Sequence, residues 1–308
     1  MGFLFSCAEK ILLKCKKPDT MTASERLTQA RNYNQKHPFV MPTDSKVRYR
    51  KIMIEQYPCV IMRPHDGKGK GAVLYIFGGG GLLSAWKPQL AMARKTAQDS
   101  GADVWYPIYP LGTEVSLAET LRILTEVYRT MLKKYPAEKI IFEGGSSGAS
   151  AALALILMNI KKSAPARLPM PGAVIAHSPS SIPLSEPEWK EMEQKAESDF
   201  MCSINIVRNC QELFQLDDDA EQWMISPAHG DYTGAPPLYL FYGGHEMLSA
   251  CVPYFAESFR KAGITFRIHT EPGMFHCYSM FPVTKESVKS YCAGIRIIRR
   301  MIQSEIRK

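Results

Sequence analysis

Two adjacent serines in the stretch EGGSSGAS occupy a place where a chain can present a nucleophile. The frame Gly144-x-Ser146-x-Gly148 fits G-x-S-x-G, in which serine sits on a sharp turn between a strand and a helix. The frame centred on Ser147 fails, because Ala149 stands where it needs glycine. Glycines on both sides let strand and helix approach closely. The spacing predicts Ser146 as the nucleophile, and a plain glycine–serine loop is the alternative reading of the motif alone.

A run of four glycines, FGGGG at 77–81, directly follows the apolar stretch AVLYIF. Such a loop leaves backbone N–H groups free to donate to a developing oxyanion, together with the amide of Ser147, the residue after the nucleophile. The run contains neither G-x-x-x-x-G-K-[ST] nor G-x-G-x-x-G, which argues against a phosphate-binding loop. A flexible turn without a chemical role is the remaining alternative.

A base and an acid complete a set for acyl transfer. His276 lies in the loop PGMFHCYSMFP after the last predicted strand, whereas His269 lies inside that strand and is predicted to pack there. The turn GGHEMLS contains one carboxylate, Glu246, which can orient an imidazole as aspartate does. The runners-up are Asp231, which precedes the strand, and the run 217–219, which suits a helix N-terminus.

Alternating strand and helix patterns must position these residues. Buried-type apolar runs and apolar positions at helical spacing predict a mostly parallel sheet with helices on both faces, preceded by an antiparallel pair at 47–55 and 58–64. Further strands are predicted at about 72–77, 104–109, 139–144, 172–178, 238–243 and 265–270, and helices near 88–99, 114–135, 147–159, 249–262 and 284–306. Each candidate follows a strand, where open α/β sheets bind ligands.

Two helical stretches supply no central strand: the N-terminus to about residue 45, and about 183–225. We interpret them as a cap over one end of the sheet. Methionines in and near them predict an adaptable apolar wall: Met21, Met41, Met192, Met201 and Met224.

Composition excludes several classes of protein. The chain has 308 residues, 45% of them hydrophobic, and a net charge of +8, part of it at the two termini. No aromatic-interleaved basic motif accompanies that charge, so nucleic-acid binding is not expected. The eight cysteines form no C-x-x-C pair and no metal-ligand spacing, which predicts reduced thiols in the cytoplasm.

The N-terminal stretch MGFLFSCAEKILLKCKK has no cleavage site of the signal-peptide type and is too short to span a bilayer. It matches M-G-x-x-x-[ST], a pattern that in a eukaryote permits acylation. We predict an amphipathic helix that packs on the body, with weak interfacial membrane contact as the alternative. A homodimer is also left open.

The motifs together resemble the hormone-sensitive-lipase-like branch of the α/β-hydrolase family, which includes arylacetamide deacetylase-like carboxylesterases. FGGGG resembles its H-G-G-G motif, GGSSGAS its G-D-S-A-G-G elbow, GGHEMLS its G-x-x-D-x-L turn and PGMFHCYSMFP its G-M-x-H-x-F loop. YPLGTE is similar to Y-R-L-A-P-E, and SPAHGDYTGAPP to S-P-x-x-G-D-x-x-G-x-P-P. The resemblance runs from about residue 45 to the C-terminus.

This resemblance implies an α/β-hydrolase fold with a helical cap and no metal or organic cofactor. The catalytic domain would comprise 46–182 and 226–308, with N-terminal cap helices at 1–45 and a cap insertion at 183–225. Gly79 and Gly80 would donate N–H groups to the oxyanion with Ser147. Three positions depart from the family pattern: Phe77 for histidine, Gly145 for aspartate and Glu246 for aspartate.

We therefore expect a serine carboxylesterase that hydrolyses small esters with short- to medium-chain acyl groups through Ser146, Glu246 and His276. Two alternatives belong to other classes. One is an amide or formamide hydrolase of the same fold, and the other is a catalytically silent, ligand-binding homologue, because a fold does not guarantee a function.

Overall fold

An eight-stranded sheet forms the centre of the computed structural model, which describes residues 18–67, 69–163, 165–215 and 219–303. Its strands are β1 (Arg48–Ile54), β2 (Tyr57–Arg63), β3 (Ala72–Ile76), β4 (Asp103–Pro107), β5 (Ile140–Gly145), β6 (Ala173–His177), β7 (Leu238–Gly243) and β8 (Phe266–Glu271). They are ordered β1-β2-β4-β3-β5-β6-β7-β8. The predicted antiparallel pair is present as β1 and β2, and β3 to β8 run parallel to one another.

Burial explains why the central strands read as uninterrupted apolar runs. Every residue of β3, β4, β5 and β6 is buried. A parallel sheet covered on both faces needs apolar side chains on both, so alternation disappears. At the edge, the residues of β1 are exposed or partly buried except for Ile54, which is buried. The mostly parallel sheet predicted from the sequence is confirmed.

The helices that cover the sheet begin and end close to the predicted positions. They are α2 (Lys87–Ser100), α3 (Leu117–Leu132), α4 (Ser147–Lys161), α8 (Val252–Lys261) and α9 (Lys285–Gln303). The pair α2 and α9 pack together, as do α3 and α4. The apolar stripe of α3 includes Leu121, Leu124 and Val127, which are all buried.

The two stretches outside the alternation are helical, as expected. They contain α1 (Ala23–Lys36), α5 (Glu186–Ala196), α6 (Ile204–Gln215) and the short α7 (Gln222–Ile225). The side-chain amides of Asn205 and Asn209 on α6 both donate to the carbonyl of Met21, at 2.6 and 2.8 Å. The hydroxyl of Ser203 also bonds Asp19. The segment before α1 is therefore fastened to α6 by polar contacts.

Some predictions fall on residues that the structure does not describe. The N-terminal amphipathic helix within 1–17 is one, and Asp217 and Asp218 of the acidic run are others. Within the described ranges, no helix combines the length and the apolar character needed to cross a membrane.

Candidate active site

Ser146 occupies the turn between β5 and α4, with φ of 54° and ψ of −130°. This positive φ is uncommon for a residue other than glycine. A Cβ at Gly144 would lie 2.5 Å from the carbonyl oxygen of Gly148, so the end of β5 and the start of α4 are too close for a larger residue here. The amide of Ser146 donates to the carbonyl of His177 at 2.8 Å. The geometry is a sharp strand-to-helix turn with its serine half-buried at the tip.

His276 and Glu246 form a buried pair beside that turn. Nδ1 of His276 lies 2.5 Å from Oε2 of Glu246, and these residues are 7% and 0% exposed. The other carboxylate oxygen, Oε1, accepts hydrogen bonds from the Gly243 amide at 2.6 Å and the Ser178 hydroxyl at 2.7 Å. Because both carboxylate oxygens are bonded, the Glu246 side chain is held in one orientation, and its bond to Nδ1 orients the imidazole.

Burial and hydrogen bonding shift the proton affinity of this pair. Burial raises the pKa of the Glu246 carboxyl above its ordinary value, against the effect of its three hydrogen bonds. Burial acts to lower the pKa of His276, but Cys277, Cys202 and the bond to Glu246 together raise it well above 6.5. The pair therefore keeps its proton to a higher pH than an isolated imidazole would.

His276 lines the cavity, and its Nε2 lies 3.6 Å from Sγ of Cys277. Cys277 has a left-handed backbone conformation, with φ of 57°, and both His276 and Cys277 line the cavity. Within the described residues, no hydrogen bond joins the Ser146 hydroxyl to Nε2. Ser146 and His276 nevertheless line the same cavity, and catalytic hydrogen bonds in unliganded enzymes are often long.

The glycine loop follows β3 and lies against the serine turn. Gly79, Gly80 and Gly81 have φ of 140°, 66° and 74°, a conformation that side chains other than hydrogen rarely permit. The amides of Gly79 and Gly80 bond no acceptor within the described residues. Ser147 is the first residue of α4, so its amide has no partner in the helix. Its hydroxyl accepts from the Gly81 amide at 3.0 Å.

Tyr109 anchors the start of this loop. Its hydroxyl donates to the carbonyl of Phe77 at 2.6 Å, and the two rings stack with centroids 4.2 Å apart. Phe77 replaces the histidine of the family motif, and the loss of that polar side chain is thus accompanied by a backbone anchor from Tyr109.

A mostly apolar cavity of about 370 Å³ lies over these residues. Ser146, His276, the glycine loop and Ser147 all line it. Of the methionines predicted to form an apolar wall, Met201 and Met224 line the cavity, whereas Met21, Met41 and Met192 do not. Residues of α3 and α4 also line the cavity, and the helix α6 contributes Val207, Cys210 and Phe214.

The runners-up lie elsewhere. Asp231 is exposed and bonds Thr233. His269 is less enclosed than predicted: its side chain is 41% exposed and pairs with Glu271 at 2.9 Å, while its ring packs edge-on to Phe241. No group of three or more His, Cys, Asp or Glu residues that could bind a metal ion occurs within the described ranges.

Three further residues at the site have contacts that the sequence did not predict. Ser178 and Tyr109 bond the acid and the glycine loop, as described above. Asp199 is 1% exposed, and its carboxylate accepts from the amides of Cys202, at 2.9 Å, and Met247, at 3.0 Å. It thereby ties the segment 183–225 to the residue after Glu246. No motif marks Ser178 or Asp199. Tyr109 begins the YPLGTE motif, but that motif does not indicate its contact with Phe77.

A model of the alpha/beta hydrolase fold family matches residues 73–280, more than half of the chain. The chain is therefore a hydrolase of the α/β-hydrolase fold family, and its resemblance to the hormone-sensitive-lipase-like branch is confirmed. The matched range includes the glycine loop, the serine turn, Glu246 and His276.

Individual relatives support the same fold. An acetyl-hydrolase of Streptomyces hygroscopicus is 26% identical over 234 residues, covering 73% of this chain and 74% of the relative. The crystal structure of EstE5 soaked with p-nitrophenyl butyrate matches with a TM-score of 0.81 at 18% identity, covering 99% of this chain and 100% of that chain. An esterase from the bacterial hormone-sensitive lipase family matches with a TM-score of 0.78 at 18% identity, covering 98% and 99%.

Proposed function

We propose that this protein is a serine carboxylesterase that hydrolyses short- to medium-chain acyl esters. The observation that carries the proposal is the buried His276–Glu246 pair, which opens onto the same apolar cavity as Ser146. A base oriented by a carboxylate beside a serine on a sharp turn is the constellation of acyl-transfer catalysis.

In the proposed reaction, the Ser146 hydroxyl attacks the ester carbonyl while its proton passes to Nε2 of His276. Glu246 holds the imidazole by Nδ1 and stabilises the imidazolium. The imidazolium then protonates the departing alcohol oxygen, which leaves an acyl-enzyme on Ser146. Water, deprotonated by His276, attacks this acyl group, and the same proton returns to Ser146 as the carboxylic acid departs.

The tetrahedral intermediates need hydrogen-bond donors. We assign this role to the amides of Gly79, Gly80 and Ser147. Gly79 and Gly80 have no competing acceptor in the described chain, and the Ser147 amide lies at a helix N-terminus, where the dipole favours negative charge.

We further propose that the segments 1–45 and 183–225 act as a cap on a catalytic domain formed by 46–182 and 226–308. The contacts of Asn205 and Asn209 with Met21 support this for residues from 18 onward. Side chains of α6 enter the cavity, so the cap would determine which acyl groups fit. A mostly apolar lining favours acyl groups without charge.

The test is hydrolysis of p-nitrophenyl acetate, butyrate and octanoate by the wild type and by Ser146→Ala. Loss of the nucleophile should lower kcat by on the order of 10⁴–10⁶. Ser258→Ala is a matched control, because the hydroxyl of this half-buried serine donates to the Ala228 carbonyl, at 2.7 Å, and the residue does not line the cavity.

The alternatives give different results. An amide hydrolase would cleave p-nitroanilides or N-formyl compounds faster than the matching esters, with the same dependence on Ser146. A silent homologue would leave the wild type as inactive as Ser146→Ala on both classes of substrate. Wild-type esterase activity that survives Ser146→Ala would refute the assignment of the nucleophile.

A further inference from the structure

Two consecutive residues at the end of β6, His177 and Ser178, contact all three segments that carry the proposed triad. The His177 carbonyl accepts from the amide of Ser146 at 2.8 Å. The Ser178 hydroxyl donates to Oε1 of Glu246 at 2.7 Å. The same hydroxyl accepts from the amide of Cys277, the residue after the proposed base, at 2.9 Å. These two residues are therefore the point where the serine turn, the acid turn and the histidine loop meet.

We propose that His177 and Ser178 are positioning residues, which set the triad geometry and tune the proton affinity of His276 without touching substrate. This inference rests on the proposed function, because it takes Ser146, Glu246 and His276 as the triad. Ser178 acts through the acid that it bonds, and His177 acts through the two loops that it joins.

The His177 side chain repeats this bridging with a second set of contacts. Its Nδ1 lies 2.7 Å from the hydroxyl of Ser279, and its Nε2 lies 3.3 Å from Oε1 of Glu143. Glu143 precedes Ser146 by three residues, and Ser279 follows His276 by three. The imidazole thus connects the strand that leads to the serine with the loop that carries the base.

Stability alone does not account for this polar cluster. Glu143, His177 and Ser279 are 5%, 2% and 0% exposed, among otherwise apolar residues of β5 and β6. The second oxygen of Glu143, Oε2, is buried without a hydrogen-bond partner in the described chain. A buried, unpaired polar atom is costly, and apolar side chains of similar volume are often at least as stable. A positional role explains why polar groups occupy this place.

Backbone conformation points to the same residues. Within the described chain, four residues other than glycine have positive φ, and three of them are Ser146, Ser178 and Cys277, at 54°, 51° and 57°. Such conformations are strained and persist where surrounding contacts enforce them. All three take part in the contacts described above, so the strain is concentrated where the triad segments meet.

Several other titratable groups face Glu246. They are His276, Cys277 and Tyr278 of the histidine loop, Tyr242 of β7, Cys251 of the next turn, and Asp199 and Cys202 of the segment 183–225. Burial raises the pKa of Cys202 to about 11 and that of Cys251 to about 12. It also raises the pKa of Tyr242 and Tyr278. The thiol of Cys251 and the two phenols are therefore neutral between pH 5 and 9.

The hydrogen bond from Ser178 stabilises the ionised carboxylate of Glu246, so its removal should change the pKa of His276. Without this donor, the Glu246 charge is less compensated, and the imidazolium form of His276 becomes more favourable. The pKa of His276 should rise, and the acid limb of the rate profile should move to higher pH.

The experiment compares Ser178→Ala, Ser178→Gly and the control Ser258→Ala in the full chain. Ser178→Gly also lacks the hydroxyl but adopts positive φ without strain, so it stays interpretable if Ser178→Ala does not fold. The measurements are the melting temperature, kcat and KM for p-nitrophenyl butyrate from pH 5 to 9, and an NMR titration of the histidines. A His276→Gln variant assigns the His276 resonance.

We expect kcat to fall about tenfold or more in both Ser178 variants, as for loss of a hydrogen bond to a charged group, with a smaller change in KM. The pKa of His276 should rise by about half a unit or more. Ser258→Ala should change neither quantity. A wild-type pKa of His276 in Ser178→Gly would overturn the proposal, even if a lower melting temperature accompanied lower activity.

The NMR readout also separates this inference from the proposed function. If the wild type fails to hydrolyse esters, the titration still shows whether Ser178 controls His276. If the wild type is active and Ser178→Gly leaves both kcat and the pKa unchanged, the esterase stands and the positioning role is refuted. A His177→Leu variant extends the test, because it removes the contacts to Glu143 and Ser279 but keeps the carbonyl.

Discussion

The hydroxyl of Ser147 accepts a hydrogen bond from the amide of Gly81 at 3.0 Å. The serine next to the proposed nucleophile therefore holds the end of the glycine loop with its side chain. Sequence reasoning gave Ser147 only a backbone role, because a motif cannot show where a loop 66 residues away will lie. Ser147 thus has a side-chain contact of its own, distinct from the role proposed for Ser146.

Removal of this bond should have a modest effect. We expect Ser147→Ala to lower kcat about fivefold, the equivalent of one neutral hydrogen bond of about 1 kcal/mol, because the loop loses an anchor but keeps its N–H donors. Steady-state kinetics beside Ser146→Ala make the comparison. Unchanged kcat would show that the contact is dispensable, and a loss as large as that of Ser146→Ala would reopen the choice of nucleophile.

Phe214 should limit the length of the acyl group. A Cβ at Gly81 or Gly112 would lie 3.0 or 2.9 Å from its ring, which therefore packs between the two glycines on the cavity wall. In Phe214→Ala we expect the kcat/KM ratio of octanoate to acetate to rise by about tenfold or more, because space for methylene groups opens. Phe200→Ala is the control, since this half-buried residue of the same segment does not line the cavity. An equal ratio in both variants would contradict the assignment.

The pH dependence should show a proton held tightly by the Glu246–His276 pair. Because the pKa of His276 is raised, kcat/KM should rise with pH through a midpoint above the ordinary histidine value of 6.5. Glu246→Gln removes the charge that favours imidazolium while burial continues to disfavour it, so the midpoint should move to lower pH. The maximal kcat should fall by roughly 10⁴, as in other triads that lose the acid.

A rate profile from pH 5 to 9 with p-nitrophenyl butyrate checks both statements. A midpoint at or below 6.5 in the wild type, or no movement in Glu246→Gln, would contradict the account of the pair.

Close backbone packing at Gly148 should make this position intolerant of any side chain. A Cβ there would overlap the carbonyl oxygens of Ile76 and Phe77 at the end of β3. We expect Gly148→Ala to destabilise the fold by more than about 3 kcal/mol, or to prevent folding. Gly294 in α9 has no neighbour within 4 Å of an added Cβ, so Gly294→Ala should raise the free energy of unfolding, by up to about 1 kcal/mol.

Chemical denaturation of the two variants beside the wild type measures the difference. Similar stabilities for Gly148→Ala and Gly294→Ala would show that the approach of α4 to β3 is looser than the structure indicates.

Local sequence patterns predicted most of the strands and helices and the candidate site residues. Mostly apolar runs at about 72–77 and 139–144 predicted the buried strands β3 and β5, because a strand covered on both faces has no solvent-facing side. Helical spacing of apolar residues located α3, and the glycines around Ser146 marked the turn between β5 and α4. The order of Ser146, Glu246 and His276 identified the candidates because each follows a strand, and carboxyl ends of parallel strands share one edge of a sheet.

Only the tertiary structure decided how those candidates are held. His177, Ser178, Tyr109 and Asp199 contact the site across long sequence separations, and no local pattern records such contacts. The sequence also could not predict which methionines line the cavity: Met201 and Met224 do, and Met21, Met41 and Met192 do not. Sequence periodicity states which residues face one side of an element, whereas the packing of elements against one another decides what they meet there.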